Sequence, residues 1–373
     1  MLVTAGARLV ATRYHDDTLW ANALGSLGGA QRPGDFGYVF LPAGAAVLDG
    51  RSPYMDPDEF EGPPQAPYAY PPVLAFVVSP LTLLPEDVSN TFVPGVVFTV
   101  LLIFATVGAL LILEVRDWRC YPVALLYPVT LEAFEYGAIG PVLLLLIAVA
   151  WRFRDRVFVA GGAMAGAVVL KLFLWPLLVW LAFTSRVRAA VVAAGTAVVL
   201  ALGSWAAIAF KGIDDYPRLL RKLVDVEADN SYSVYAILRA IGIPEVAAQL
   251  LITAAGVALL VVAWRAARSV GSTRFEQDRR SLTLVLAAAL FLTPILWLHY
   301  LVLLVLPIAL ARPRLSALWF APLALSVFEW LDWYRGWPAG EWDALLSVLA
   351  LLVLVFAASL RPSGETTKLA ACP

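Results

Sequence analysis

VFVAGGAMAGAVVLKLFLWPLLVWLAF, residues 157–183, decides the fold. It is long enough for one transmembrane helix, yet Arg152, Arg154 and Arg156 precede it and Arg186 and Arg188 follow it. Arginines between spans collect on one side of a membrane, so the two ends belong on the same side. The stretch therefore reads as two short helices that turn around Lys171, and the turn carries a lysine to the opposite face. The run from Ser281 to Leu310 repeats the design. It is basic at both flanks, with Trp297, His299 and Tyr300 at its turn.

The rest of the chain agrees with a multi-pass membrane protein. Of 373 residues, 61% are hydrophobic and only 15% charged, with a mean hydropathy of +0.79, a balance foreign to soluble domains of this size. A net charge of −1 gives no sign of a nucleic-acid partner, and Cys120 and Cys372 make no disulfide framework. Apolar runs place eleven spans at roughly 92–113, 120–134, 138–151, 157–170, 172–184, 189–209, 246–264, 282–298, 300–311, 315–330 and 344–360.

Every second gap is basic. The gaps at Arg116/Arg119, Arg152–Arg156, Arg186/Arg188, Arg265–Arg280, Arg312/Arg314 and Arg361/Lys368 hold sixteen of the 27 basic residues, with only Glu114, Asp117, Asp155, Glu276, Asp278 and Glu365 as acids. These gaps are expected to face the cytoplasm, and the C-terminus with them. The other gaps, including outer loops near 210–245 and 331–343, then face the periplasm or the cell exterior of a plasma membrane.

Residues 1–91 form a separate N-terminal segment ahead of the bundle at 92–373. Within it, Gly34–Pro85 is dense in carboxylates, tyrosines, glycines and prolines, which suits a first outer-face loop with interfacial helices. A cytoplasmic start would need a span before this platform. Residues 1–33 offer only MLVTAGARLVA, so a first helix is expected to be missing from the chain as given. Asp35 follows Pro33-Gly34 and precedes an apolar run that stops at Asp49-Gly50; it is either a helix N-cap or a reactive carboxylate. Tyr54, Tyr68 and Tyr70 either anchor at the membrane interface or line a groove. Lys171 either snorkels or binds an anion, and His299 is either an interfacial histidine or a ligand contact. Asn230 and Ser231 cap a helix near Tyr232 or touch substrate. His15 has no chemical context, and no cluster has metal-ligand spacing, so no cofactor or metal is expected.

Five pieces in order resemble glycosyltransferase family 87, polyprenol-phosphate-dependent enzymes of the glycosyltransferase C superfamily: DFGYVFLPAGAAVLDGRSPY, YPPVLAFVVSPLTLLP, AGAVVLKLFLWP, DNSYSVYAIL and TPILWLHYLVLLVLPI. They span roughly Gly34–Pro307. The family's Gly-Gln-x-Asn motif is replaced here by GAIGP, Gly137–Pro141. The resemblance implies an all-α transmembrane bundle of the glycosyltransferase C type that lacks the family's first helix. It also implies transfer of a hexose, mannose first, from a polyprenyl-phosphate donor to a lipid-linked or glycan acceptor at the outer face, with inversion. Asp35 then matches the general base. Lys171, His299, Trp297 and Tyr70 match the donor phosphate and sugar contacts, and Tyr54, Asn230 and Ser231 the acceptor or loop contacts. The rival from a different class is a lipid or solute transporter, for which Glu132 and Glu135 would serve a proton relay.

Overall fold

The computed structural model describes residues 34–62, 66–84, 93–228, 231–325 and 342–361, and of 342–344 the backbone alone. Among them the secondary structure is entirely helical. In chain order the helices are α1 (Phe36–Leu48), α2 (Val73–Val78), α3 (Val93–Ile112), α4 (Cys120–Leu125), α5 (Pro128–Tyr136), α6 (Gly140–Arg152), α7 (Val157–Leu170) and α8 (Pro176–Phe183). Then come α9 (Val187–Ala207), α10 (Tyr216–Glu227), α11 (Val234–Ala240), α12 (Glu245–Ala267), α13 (Arg274–Leu292), α14 (Leu298–Ala311) and α15 (Trp342–Leu360).

Proline and glycine set the breaks. A helix continued through Pro176 would lose an N–H and drive the ring into the Leu172 carbonyl, so α7 stops at Leu170 and α8 begins with Pro176 as a first-turn residue. Pro294 likewise pushes Thr293 into extended backbone (φ −70°, ψ 128°) and ends α13. Between α5 and α6 the chain bends by 115°. Gly137 caps α5 in the left-handed region at φ 63°, and Pro141 opens α6.

Each proline break folds the chain back on itself. Arg186, just past α8, donates from Nε to Asp155, just before α7, at 3.0 Å. Both ends of the α7–α8 hairpin therefore sit at one level, and Lys171 stands at the other. The α13–α14 hairpin closes at the same level. Asp278 in the first turns of α13 takes two bonds from Arg186 (3.0 and 2.8 Å) and one from Arg154 at the end of α6 (2.9 Å). Beyond α14, the Pro313 carbonyl accepts from the Arg116 amide at 2.8 Å. Asp117 holds the Leu315 amide there, and its bonds to Arg119 keep that carboxyl well below the usual carboxylate range. This level is the arginine end of the bundle; the two turns lie at the far end.

The cluster at the arginine end is buried. Asp278 and Arg186 side chains are 3% and 6% exposed, Trp180 donates to the Asp278 carbonyl at 3.2 Å, and Trp180 stacks on Trp151 at 6.0 Å. Arg279, fully buried, bonds Glu276 and the carbonyls of Ser359 and Arg361, which fastens α15 to α13. Arg265–Arg280 was expected as one of the cytoplasmic gaps between spans. There Thr273, accepting from the Glu276 amide, caps α13 so that the helix starts at Arg274, and the charges of its first turns are buried because they are paired.

Eleven crossings exceed what length supports among the described residues. Only α3, α9 and α12 are long and apolar enough to cross a membrane, or four spans if the bent α5–α6 pair is one. The hairpin arm α7 has 14 residues, about 21 Å of rise against a hydrocarbon core of about 30 Å. The segment read as a span at 315–330 is a short 3-10 turn, Ala317–Leu323, where it is described. The loop near 331–343 falls outside the described residues. At the centre, every residue of α14 is buried, as expected for a helix apolar all round, whereas α9 and α12 leave Val198, Leu202, Leu250 and Val257 exposed toward lipid.

Removing one partner of a buried, hydrogen-bonded ion cluster leaves uncompensated charge and costs about 3–5 kcal/mol. Asp278→Ala is expected to destabilise the detergent-solubilised protein by that amount in denaturant unfolding, and a loss under 1 kcal/mol would show that the cluster does not hold the hairpins together.

Candidate active site

The two hairpin turns meet at the far end. Lys171 ends α7 in extended backbone, φ −152° and ψ 100°. Its Nζ donates to Tyr70 Oη at 2.6 Å, off the hydroxyl edge of that ring, and lies over Tyr300, 4.5 Å from the ring centroid. Phe173 stacks on Tyr300 at 5.2 Å, and His299, 7% exposed, meets Tyr300 edge to face at 4.8 Å. Lys171, Tyr70, His299 and Tyr300 share a small cavity backed by Gly140 and Leu143. A Cβ on Gly140 would fall 2.9 Å from the His299 carbonyl oxygen and 2.7 Å from Val302, so only glycine lets α6 begin against α14.

Asp35 comes from the N-terminal platform. Gly34 beside it abuts the Tyr136 ring, and Phe36 stacks on Phe98 of α3 at 4.3 Å. The capping reading of Asp35 is overturned. Its backbone is helical (φ −59°, ψ −41°) and its side chain makes no cap bond, whereas an N-cap needs extended backbone with the side chain turned onto the helix amides. The carboxylate is half-buried and within electrostatic reach of Lys171, Tyr70 and Tyr300. Among the described residues it makes no hydrogen bond or ion pair of its own.

The remaining expected residues divide. Trp297 is half-buried, immediately before the first turn of α14. Tyr54, Tyr68 and Tyr70 form one packed aromatic cluster, and Tyr70 also lines the cavity beside Lys171. They pack together with Tyr216 and Trp205 at ring separations of 5.1–6.2 Å. Ser231 is fully buried, 2.9 Å from Ser233 Oγ and bonded to the Pro294 carbonyl at 3.4 Å. Ser233, not Ser231, caps α11 by accepting from the Ala236 amide at 3.0 Å. Asn230 and His15 lie outside the described residues. Tyr300 is the residue that sequence reading undervalued, as a mere neighbour of His299; its one signal was an aromatic ring at a hairpin turn opposite another turn that carries a lysine.

Helix α10 lies over the platform. Arg218 pairs with Asp58 at 3.0 Å, and Lys211, ahead of α10, donates to the Gly50 carbonyl at 2.6 Å. The far end thus gathers an unpaired carboxylate, an ammonium and an imidazole. A proton acceptor on one side and cationic or N–H donors on the other suit a displacement that takes a proton from a nucleophile and leaves negative charge on the departing group.

The sequence profile of glycosyltransferase family 87 matches residues 68–294. The chain belongs to that family. The family 87 match covers Tyr70 and Lys171, begins after Asp35 and ends before His299. A curated relative is 25% identical over 327 residues, covering 79% of this chain and 74% of its own length. It is a polyprenol-phosphate-mannose-dependent alpha-(1-2)-phosphatidylinositol mannoside mannosyltransferase of Mycolicibacterium smegmatis. No solved structure matches this glycosyltransferase.

Because the α6 start touches the His299 backbone, Gly140→Val overpacks the joint between the two far-end turns. It is expected to destabilise by about 1–3 kcal/mol and to cut sugar transfer more than tenfold in a membrane assay. Wild-type transfer by this variant would show that the contact does not set the site.

Proposed function

We propose that this membrane glycosyltransferase moves a hexose, mannose first, from a polyprenyl-phosphate donor to a lipid-linked or envelope glycan acceptor. The site opens at the outer face of a plasma membrane, with the C-terminus on the cytoplasmic side. The single observation that carries the reading is the convergence of Asp35, Lys171 and His299 at one end of the bundle, opposite the arginines. The skew of arginines supports the orientation, and the activity for which the relative is named supports the donor, the sugar and a glycolipid acceptor.

In the reaction so read, Asp35 takes the proton from an acceptor hydroxyl as that oxygen bonds to the sugar's anomeric carbon. The bond from that carbon to the phosphate oxygen breaks, and the lipid phosphate leaves with the electron pair. One displacement inverts the anomeric centre. Lys171 and His299 face the departing phosphate, where hydrogen bonds to a charged group are about twice as strong as neutral ones; Trp297 completes the donor end, and Tyr70 stands behind the Lys171 ammonium. The reading draws on no metal or cofactor.

General-base help is worth about 10²–10⁴ in rate. Asp35→Asn is therefore expected to lower turnover by that factor while donor affinity stays within twofold, measured with polyprenyl-phosphate mannose and native membrane lipids. Unchanged turnover would remove Asp35 as the base.

A further inference from the structure

We propose that Tyr70 and Tyr300 are positioning residues that act on the donor only through the Lys171 ammonium, and that Tyr54 fixes the turn carrying Tyr70. The inference rests on the reading of Lys171 as the ligand of the donor phosphate. Nothing in the family match or the relative assigns these three tyrosines a role.

A lysine between two apolar helices is flexible at four side-chain torsions, and freezing it costs entropy when an anion arrives. Here it is frozen beforehand. Tyr70 Oη holds one of its three N–H donors at 2.6 Å, and the ring of Tyr300, its centroid 4.5 Å away, faces the charge. Among the described residues no carboxylate lies within ion-pair distance of it. Cation–π contact steadies a cation without neutralising it, so two N–H donors remain for an anion.

The Tyr70 ring is itself gripped. Three successive carbonyls of its turn each accept a phenol: Ala69 from Tyr216 at 3.4 Å, Tyr70 from Tyr54 at 2.9 Å and Pro71 from Tyr68 at 2.8 Å. Tyr68 Oη also accepts from the Ala75 amide at 2.9 Å, which ties the turn to the start of α2. On the other side Phe173 and His299 pack around Tyr300. Tyr54, read from the sequence as an acceptor contact, thus has its hydroxyl turned onto the backbone of the Tyr70 turn.

The experiment measures the affinity of a short prenyl monophosphate, farnesyl phosphate, for the full chain in detergent micelles, in a double-mutant cycle. Lys171→Met is expected to weaken binding about 10–100-fold, the scale of a charge-assisted hydrogen bond. Tyr70→Phe, which keeps the ring and removes the hydroxyl, and Tyr300→Leu are each expected to weaken it about fivefold, and Tyr54→Phe about threefold. Tyr300→Phe keeps the ring face and stays within twofold of wild type. In the Lys171→Met background each tyrosine substitution changes affinity less than twofold. Equal losses with and without the lysine would overturn the proposal and mean direct contact or a general packing effect, and so would full affinity in Tyr70→Phe and Tyr300→Leu. Full affinity in Lys171→Met would instead overturn the donor reading on which the inference rests, and the inference with it.

Discussion

The site at the far end depends on the buried ion cluster at the arginine end. Asp278 receives Arg154 and Arg186 in one place, and Arg186 also reaches Asp155. The ends of α6, α7, α8 and α13 are thereby fixed to one level. Helices are stiff rods rising about 1.5 Å per residue, so fixing where two hairpins begin fixes where their turns arrive. Breaking an ion pair at one end of the bundle would be felt as lost registration of Lys171 against His299 at the other.

The electrostatics of the far end follow a different rule. At the arginine end every buried charge is matched by an opposite charge, as burial demands. At the far end the carboxylate of Asp35 and the ammonium of Lys171 influence each other through space without closing into a contact pair. The ring of Tyr300 and the phenol of Tyr70 take the place of a counter-ion for the lysine. A closed pair would leave neither group open to a ligand; keeping them apart leaves an acceptor and a donor both available at this end of the bundle.

Some features were legible early because they need only local physics. Arginines at both flanks of 157–183 and of 281–310 foretold two returning hairpins, and Pro176 and Pro294 are where they break. The residues at the two turns, Lys171 and His299, followed from the same counting. Asp49-Gly50 ends α1 as its sequence suggested, with Gly50 at φ 63°. Other features were misread because they depend on partners distant in the chain. Glu276, Asp278 and Arg279 stand in sequence as part of a gap between spans; only contact with Arg154, Arg186 and α15 makes them core. That Tyr54 stacks with Tyr216 and Trp205 and so joins Tyr68 and Tyr70 to them is likewise set by partners far away in the chain.

The sequence by itself determined that this is a helical membrane protein, which stretches fold back, and which few polar residues stand at the turns, because hydropathy, arginine sidedness and proline sterics act within a few residues of where they are written. The tertiary structure alone decided that the two turns face each other across one cavity, that Asp35 does not cap its helix, and that Lys171 is held by rings instead of a carboxylate. Those outcomes rest on contacts between side chains a hundred or more residues apart, whose geometry exists only once the hairpins are packed.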